Sequence, residues 1–377
     1  AAPDFINLYL RDAMKAKHLL LALTAVAPLA HAQSSVQIFG IIDAGLGHYS
    51  TGGTSVNRLE NNGVSPTFLA FKGIEDLGGG LGAYFYLDGG FSPKSGIGRN
   101  TNTNNQDNGN TPVGGFTFNR RATVSLGGDF GEVRLGRDYS PDFVNKSVYA
   151  PFGTVGVAGS TVLSNSASAA GTNISNSIHY FYGYSANVNT LLNNPKGFYA
   201  HAAYGFGENP SGTAKSSDGN YMGLRLGYGK GPMDVSVSYA STKSAAIDNH
   251  TVQNIGGSYD FGVVKAVSIF NINKSGNNSI NNKSTLVGVT IPVGQHSIPI
   301  SYSRYTSSGT ASNGQSASLF GLGYRYRLSK MTQLYATYGR VSNSGGAAFT
   351  VGTGGNAPAG VANTGSNGYE FGIVKLF

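Results

Sequence analysis

From Gln33 to the end of the chain, apolar and polar residues alternate one by one in runs of about ten, a period-two pattern that marks strands with two unlike faces. Sixteen such runs can be followed: Val36–Tyr49, Pro66–Leu77, Leu81–Phe91, Phe116–Leu126, Glu132–Tyr139, Ser177–Ser185, Gly197–Phe206 and Asn220–Tyr228, then Met233–Ser241, Val252–Tyr259, Val263–Asn273, Lys283–Ile291, Ser297–Tyr305, Ala317–Leu328, Thr332–Val341 and Gly368–Phe377. Nothing in this region reads as a helix of useful length, and no apolar run reaches the ~18 residues of a spanning helix. Seven mostly short turns alternate with eight mostly longer loops of Asn, Gly, Ser and Thr. The turn Ala186–Lys196 is longer than a hairpin needs. Residues Ser140–Asn176 are small and lack alternation; a connection of that length is uncommon and usually functional. An even number of strands, with short turns at one end and long loops at the other, is what a transmembrane β-barrel requires. In lipid the sheet must close, because an open edge leaves backbone groups unpaired.

The alternation also assigns the two faces. In the hairpin Phe116–Tyr139, Phe118, Ala122, Val124 and Leu126 oppose Asn119, Arg121, Thr123 and Ser125, while Val133 and Leu135 oppose Glu132 and Arg134. In Leu319–Leu328, Phe320, Leu322, Tyr324, Tyr326 and Leu328 oppose Gly321, Gly323, Arg325 and Arg327. An arginine turned to the bilayer midplane costs about 2–4 kcal/mol, so the apolar face meets lipid and the arginines meet a wet lumen. Parity thus places Arg225, Arg325 and Arg327 in the lumen as bases, with Asp88 on the polar face of its strand. Asp138 and Asp142 stand near the root of the irregular segment. Arg137 has the wrong parity for a regular strand, but the chain is about to bend inward there. Tyr324, Tyr326, Tyr335 and Tyr338 suit interfacial aromatic girdles.

Composition narrows the alternatives. Glycine is abundant at 56 residues, charged residues are only 12 %, and 22 Tyr and 20 Phe accompany no Trp, which suits many short strands and neither a helical bundle nor an α/β enzyme. The absence of cysteine excludes a disulfide scaffold, a thiol nucleophile and Cys-ligated metal. The formal charge is +8; without residues 1–32 it is 23 − 16 = +7. These bases are scattered singly, so nucleic acid is not an expected partner. There is no HExxH, no lysine-serine pair after Gly78–Gly82, and no nucleophile elbow. The carboxylates Asp88, Glu132, Asp138 and Asp142 read as balancing lumen arginines, and neither cofactor nor metal is expected. At the N-terminus, Met14–Lys17 is basic, Leu19–Leu29 is apolar and Ala30-His31-Ala32 is a small-x-small cleavage site, so residues 14–32 read as a signal peptide and 1–13 as an upstream extension.

With those features in place, residues 33–377 resemble the trimeric general porins of Gram-negative bacteria, β-proteobacterial branch. The resemblance rests on Ser35-Val-Gln-Ile-Phe-Gly-Ile-Ile-Asp-Ala44, on Phe71-Lys-Gly-Ile-Glu-Asp-Leu-Gly-Gly-Gly-Leu81, on the hairpin Phe116–Tyr139 and on Tyr259-Asp-Phe-Gly262. Leu328-Ser-Lys330, Leu334-Tyr-Ala-Thr-Tyr-Gly339 and the terminal Phe377 add to it. It implies a sixteen-stranded antiparallel barrel, assembled as a homotrimer in the outer membrane, with the third external loop, here Ser140–Asn176, folded into the lumen as a constriction. It implies arginines on the opposite wall, matched by Arg121 and Arg134 with Lys72 beside them. Phe371, Ile373, Lys375 and Phe377 resemble the family's signal to the outer-membrane assembly machinery. Family members often carry arginine where this chain has Phe68 and Asn173. The expected function is a water-filled channel for small hydrophilic solutes and ions, set among outer-membrane lipid and lipopolysaccharide, with Arg121→Ala expected to move selectivity toward cations. A substrate-specific channel is the alternative, and a surface adhesin or β-sandwich a further one.

Overall fold

The structure is a computed structural model and describes residues 35–377 apart from 107–108, 110–114, 164–170, 189–194 and 354. The signal peptide and upstream extension expected at 1–32 lie outside the described residues. The strands are β1 (Ser35–Thr51), β2 (Thr54–Asn61), β3 (Phe68–Gly78), β4 (Leu81–Gly90), β5 (Arg121–Gly128), β6 (Gly131–Tyr139), β7 (Asn173–Tyr182), β8 (Gly197–Gly205) and β9 (Tyr221–Lys230). They continue as β10 (Met233–Thr242), β11 (His250–Asp260), β12 (Lys265–Ser275), β13 (Asn281–Val293), β14 (His296–Ser307), β15 (Ser316–Ser329), β16 (Thr332–Ser344) and β17 (Ser366–Leu376). Each pairs antiparallel with its neighbours, and β17 returns to β1 in the register Ile41↔Leu376 to Thr51↔Ser366. Phe377 completes the seam: its N–H donates to the Gly40 carbonyl at 3.2 Å and its carbonyl accepts from Gly40 N at 3.1 Å.

The barrel has sixteen positions rather than seventeen, because β2 and β3 are two halves of one strand. β2 pairs with the upper part of β1 (Ala44↔Asn61) and β3 with its lower part (Ile41↔Phe68). Two corrections follow. The stretch after Tyr49 is a tight hairpin turned by Gly52 and Gly53, both at positive φ, where the alternation suggested a loop. And the strand breaks over 62–67, where Asp43 gathers the chain: its Oδ2 accepts from Val64 N and Ser65 N at 2.8 Å each. The strand expected from Phe116 begins only at Arg121, so Phe116–Arg120 belongs to the loop before it.

The face assignment from alternation holds. Val124, Leu126 and Leu135 are exposed on the outside, while Arg121, Ser125 and Arg134 are buried inside. Tyr335 departs from the expected girdle: it is buried and donates to Asp43 Oδ1 at 2.7 Å, because its parity within β16 points it at the lumen.

The segment after β6 folds into the barrel, and it is not without regular structure as the sequence suggested. Pro141–Val148 forms a helix, α1, capped by Ser140, whose Oγ accepts from Phe143 N at 3.3 Å; Pro141 follows the cap and Asp142 lies in the first turn. Eight residues are too few to show a helical period in the sequence, and α1 packs against β8–β11. Beyond α1 the chain crosses the inner wall on a row of lumen-facing glycines. A Cβ on Gly288 would stand 2.5 Å from Pro151 Cγ, one on Gly323 2.7 Å from Phe152 Cε1, and one on Gly339 2.5 Å from the Val157 carbonyl. Tyr149 fills the corresponding place over Gly256. The buried cluster of Tyr49, Val157, Leu163, Leu319 and Val341 lies between this segment and the wall, so the core is inside the barrel.

Candidate functional site

The lumen charges fall into two groups: those locked into the wall and those that face water. Arg121 and Arg134 belong to the first. From β6, Arg134 donates to Glu132 (Nε to Oε1, 2.7 Å; Nη2 to Oε2, 3.0 Å) and to Asp138 Oδ2 at 2.9 Å, with its guanidinium 4.0 Å from the Phe181 ring. From β5, Arg121 lies 3.4 Å from the same Asp138 oxygen and 4.1 Å from the Tyr86 ring. The long turn between β7 and β8 covers both. Its Val188 carbonyl accepts from Arg121 Nη1 and Arg134 Nη2 at 3.1 Å each, and Asn187 N donates to Glu132 Oε2 at 2.7 Å. Exposure is 2 % for Arg121 and 0 % for Arg134. A guanidinium shut away from water needs carboxylates and carbonyls on its donors, since an unpaired buried charge costs several kcal/mol. Glu132 and Asp138 of β6 supply the carboxylates, and the described part of the long turn, 183–188, adds the Val188 carbonyl and the Asn187 side chain. These two arginines were expected to face the constriction loop across open water; they sit instead beneath this turn.

Arg225 is likewise committed. Its Nε donates to Asn145 Oδ1 of α1 at 2.8 Å and its Nη1 to Tyr184 Oη of the turn at 2.6 Å, so one β9 side chain ties both inserts to the wall. Arg325 donates to the Pro151 carbonyl at 3.1 Å and supports the inward segment from below. Asp142 accepts from Tyr221 Oη at 3.1 Å and lies 3.7 Å from Lys146. Arg327 is exposed at the turn end of β15. Lys72 is half-buried, its ammonium 5.5 Å from the Phe39 ring, and has no carboxylate partner among the described residues.

The second group surrounds a cavity of about 910 Å³ at the loop end, above the inward segment. Its charged lining among the described residues is Lys94, Arg99, Arg120 and Arg137, with no carboxylate. Glu60 and Asp88, the acids behind this wall, are each 1 % exposed, whereas their partners Lys94 and Arg120 are 37 % and 15 % exposed. The pairs therefore present only their basic ends to water. Arg137 reaches this rim through a register shift between Gly136 and Asp138 at Gly136, whose φ is +125°. Its donors go to neutral groups: Asn119 O at 2.6 Å, Asn102 O at 2.8 Å and Ser175 Oγ at 2.6 Å. Arg99, on the loop before β5, is pushed below its usual pKa by partial burial and then by the like charge of Arg120.

Arg120 was missed. Even-numbered residues of β5 face lipid, but the ladder starts at Arg121, so parity does not apply one residue earlier. Its Nε donates to Asp88 Oδ1 at 2.9 Å, and its guanidinium lies 4.7 Å from the Phe68 ring and 5.8 Å from that of Tyr139. Asn173 Nδ2 donates to its carbonyl at 2.7 Å. Both positions where the resemblance leads one to expect arginine, Phe68 and Asn173, thus contact the arginine at 120. The signal available in the sequence was the Arg120-Arg121 doublet at a strand start.

This geometry can be set against known proteins. A family model described as Gram-negative porin matches residues 20–346. The chain is 32 % identical over 380 residues to outer membrane porin protein 32 of Delftia acidovorans, spanning 97 % of this chain and 100 % of that one. It is 27 % identical over 373 residues to an outer membrane porin protein of Bordetella pertussis, spanning 83 % of this chain and 90 % of the relative. Among solved structures, the anion-selective porin from Comamonas acidovorans matches with a TM-score of 0.74 at 30 % identity, over 91 % of this chain and 100 % of that one.

Proposed function

The chain belongs to the Gram-negative porins and is an outer-membrane channel for passive diffusion, and from that premise we propose that it favours small hydrophilic anions. The carrying observation is the vestibule: four basic side chains line it, no carboxylate does among the described residues, and the neighbouring acids lie behind the wall. Fields inside a narrow, partly low-dielectric passage are focused, so a ring of one sign raises the local concentration of the opposite ion. The solved relative named as anion-selective supports this reading. The buried network of Arg121, Arg134, Asp138 and Glu132 acts in it as a girder that holds the inserts, and Lys72, Arg137 and Arg120 as bases along the path. No catalytic role is assigned.

The reading extends to partners. The functional unit is a homotrimer, exported through the segment 14–32. The alternating outward residues Phe371, Ile373 and Phe377 are what the outer-membrane assembly machinery engages. Lys274, Lys283, Arg304 and Arg340 are exposed on the outer surface near the loop ends of β12, β13, β14 and β16. Their place suits the anionic groups of lipopolysaccharide in the outer leaflet. The test of ion preference is the zero-current potential of reconstituted channels across a potassium chloride gradient. A potential of the chloride sign is expected; one of the potassium sign overturns the reading.

A further inference from the structure

The vestibule is not lined by charge alone. Phe143, on the first turn of α1, is half-buried and borders the cavity, with its ring stacked on Tyr139 at 6.0 Å and 17°. Ile97, 47 % exposed, borders it from the loop before β5, and Val155 from the inward segment. The Arg120 guanidinium lies beside the rings of Phe68 and Tyr139; Asp88 holds its Nε, and its terminal amino groups have no acceptor among the described residues. A cavity of about 910 Å³ with an apolar side and a few convergent donors has the make-up of a small-molecule site. A channel needing only a cationic rim has no use for that apolar side.

We infer that the vestibule is a binding subsite for planar aromatic carboxylates, an inference that rests on the anion-preferring reading above. The carboxylate meets the open guanidinium edge of Arg120, which offers parallel donors to a two-oxygen anion. The ring lies against Phe143 and Ile97, out of water. Acetate shares the first contact and lacks the second, and a saturated ring makes the apolar part of the second without the stacking. Stacking on an aromatic face is worth roughly a factor of three to ten in affinity.

Chloride current through reconstituted channels is recorded while benzoate, cyclohexanecarboxylate, acetate or benzyl alcohol is added. Benzoate is expected to reduce the current with a half-saturation several-fold below that of acetate, cyclohexanecarboxylate to fall between them, and benzyl alcohol to have no effect. Phe143→Leu is expected to bring benzoate to the cyclohexanecarboxylate value. Because Phe143 sits on a packed helix, Ile97→Ser on the exposed loop gives a second readout, a partial loss of the benzoate advantage. Equal reduction by benzoate and acetate in the unaltered protein overturns the subsite while leaving anion preference intact. A zero-current potential of the potassium sign overturns both, so the two failures are told apart.

Discussion

Adjacent residues 120 and 121 carry the same charge and have opposite expected roles, which makes their paired replacement informative. Arg120→Gln removes a cation whose terminal donors face the vestibule; Arg121→Gln removes one that is 2 % exposed and 3.4 Å from Asp138. An ion passing about 7 Å from Arg120 gains ~0.6 kcal/mol from a unit charge in water, and salt near 0.1 M roughly halves that. Chloride gains and potassium loses by this amount, so the permeability ratio is expected to fall about threefold in Arg120→Gln. Replacement of Arg121 acts first on stability. It removes one of the two donors to the Val188 carbonyl and one of the two cations beside Asp138 Oδ2, Arg134 keeping both acceptors paired, a loss of about 1–3 kcal/mol. The assays are zero-current potential and denaturant unfolding in detergent, run on both variants. The reasoning is refuted if Arg121→Gln shifts the permeability ratio more than Arg120→Gln, or if it leaves unfolding unchanged.

Three further outcomes are expected. Gly339→Val places carbon where the Val157 carbonyl stands, 2.5 Å from the position of a Cβ, so the inward segment shifts at about 1–3 kcal/mol and single-channel conductance rises; unchanged conductance speaks against the glycine row as its seat. Asn187→Gly preserves the left-handed backbone at φ +55° while deleting the side chain that accepts from Arg121 Nη2 and donates to the Gly73 carbonyl. It should loosen the long turn and cost ~1–3 kcal/mol, read as earlier unfolding; a variant as stable as the parent shows that this side chain does not anchor the turn. Deleting Phe377 removes both hydrogen bonds to Gly40 and should lower the yield of folded barrel on refolding into detergent, whereas a normal yield shows that the seam closes without it.

Most of the barrel is legible in the sequence because a lipid-spanning strand must declare its two faces residue by residue. Val124 against Arg121, or Leu322 against Arg325, fixes inside and outside without knowledge of neighbours. What escaped was whatever does not obey period two. The break over 62–67 depends on Asp43, nineteen or more residues earlier, gathering backbone N–H groups. Helix α1 has a legible cap in Ser140-Pro-Asp142, but it is too short to reveal a period. The lumen charges show a further limit. Parity tells which side of the wall a side chain occupies, and Arg121, Arg134 and Arg225 are inside as expected. It does not tell what lies over them, because the covering groups, Asn187, Val188 and Asn145, come from inserts whose paths no alternation records. Of the row Gly288, Gly321, Gly323, Gly339 and Gly368, alternation places Gly321 and Gly323 on the lumen face, and the meaning of the whole row appears only with Pro151, Phe152 and Val157 against it.

The account stands on the claim that the basic vestibule gathers anions ahead of the passage. Crystals of the folded channel soaked in rubidium bromide would show this directly, since both ions scatter anomalously at separable wavelengths. Bromide peaks are expected beside Arg120, Arg137 and Arg99, with no rubidium in the vestibule. Rubidium at those positions, with bromide absent, would contradict the account.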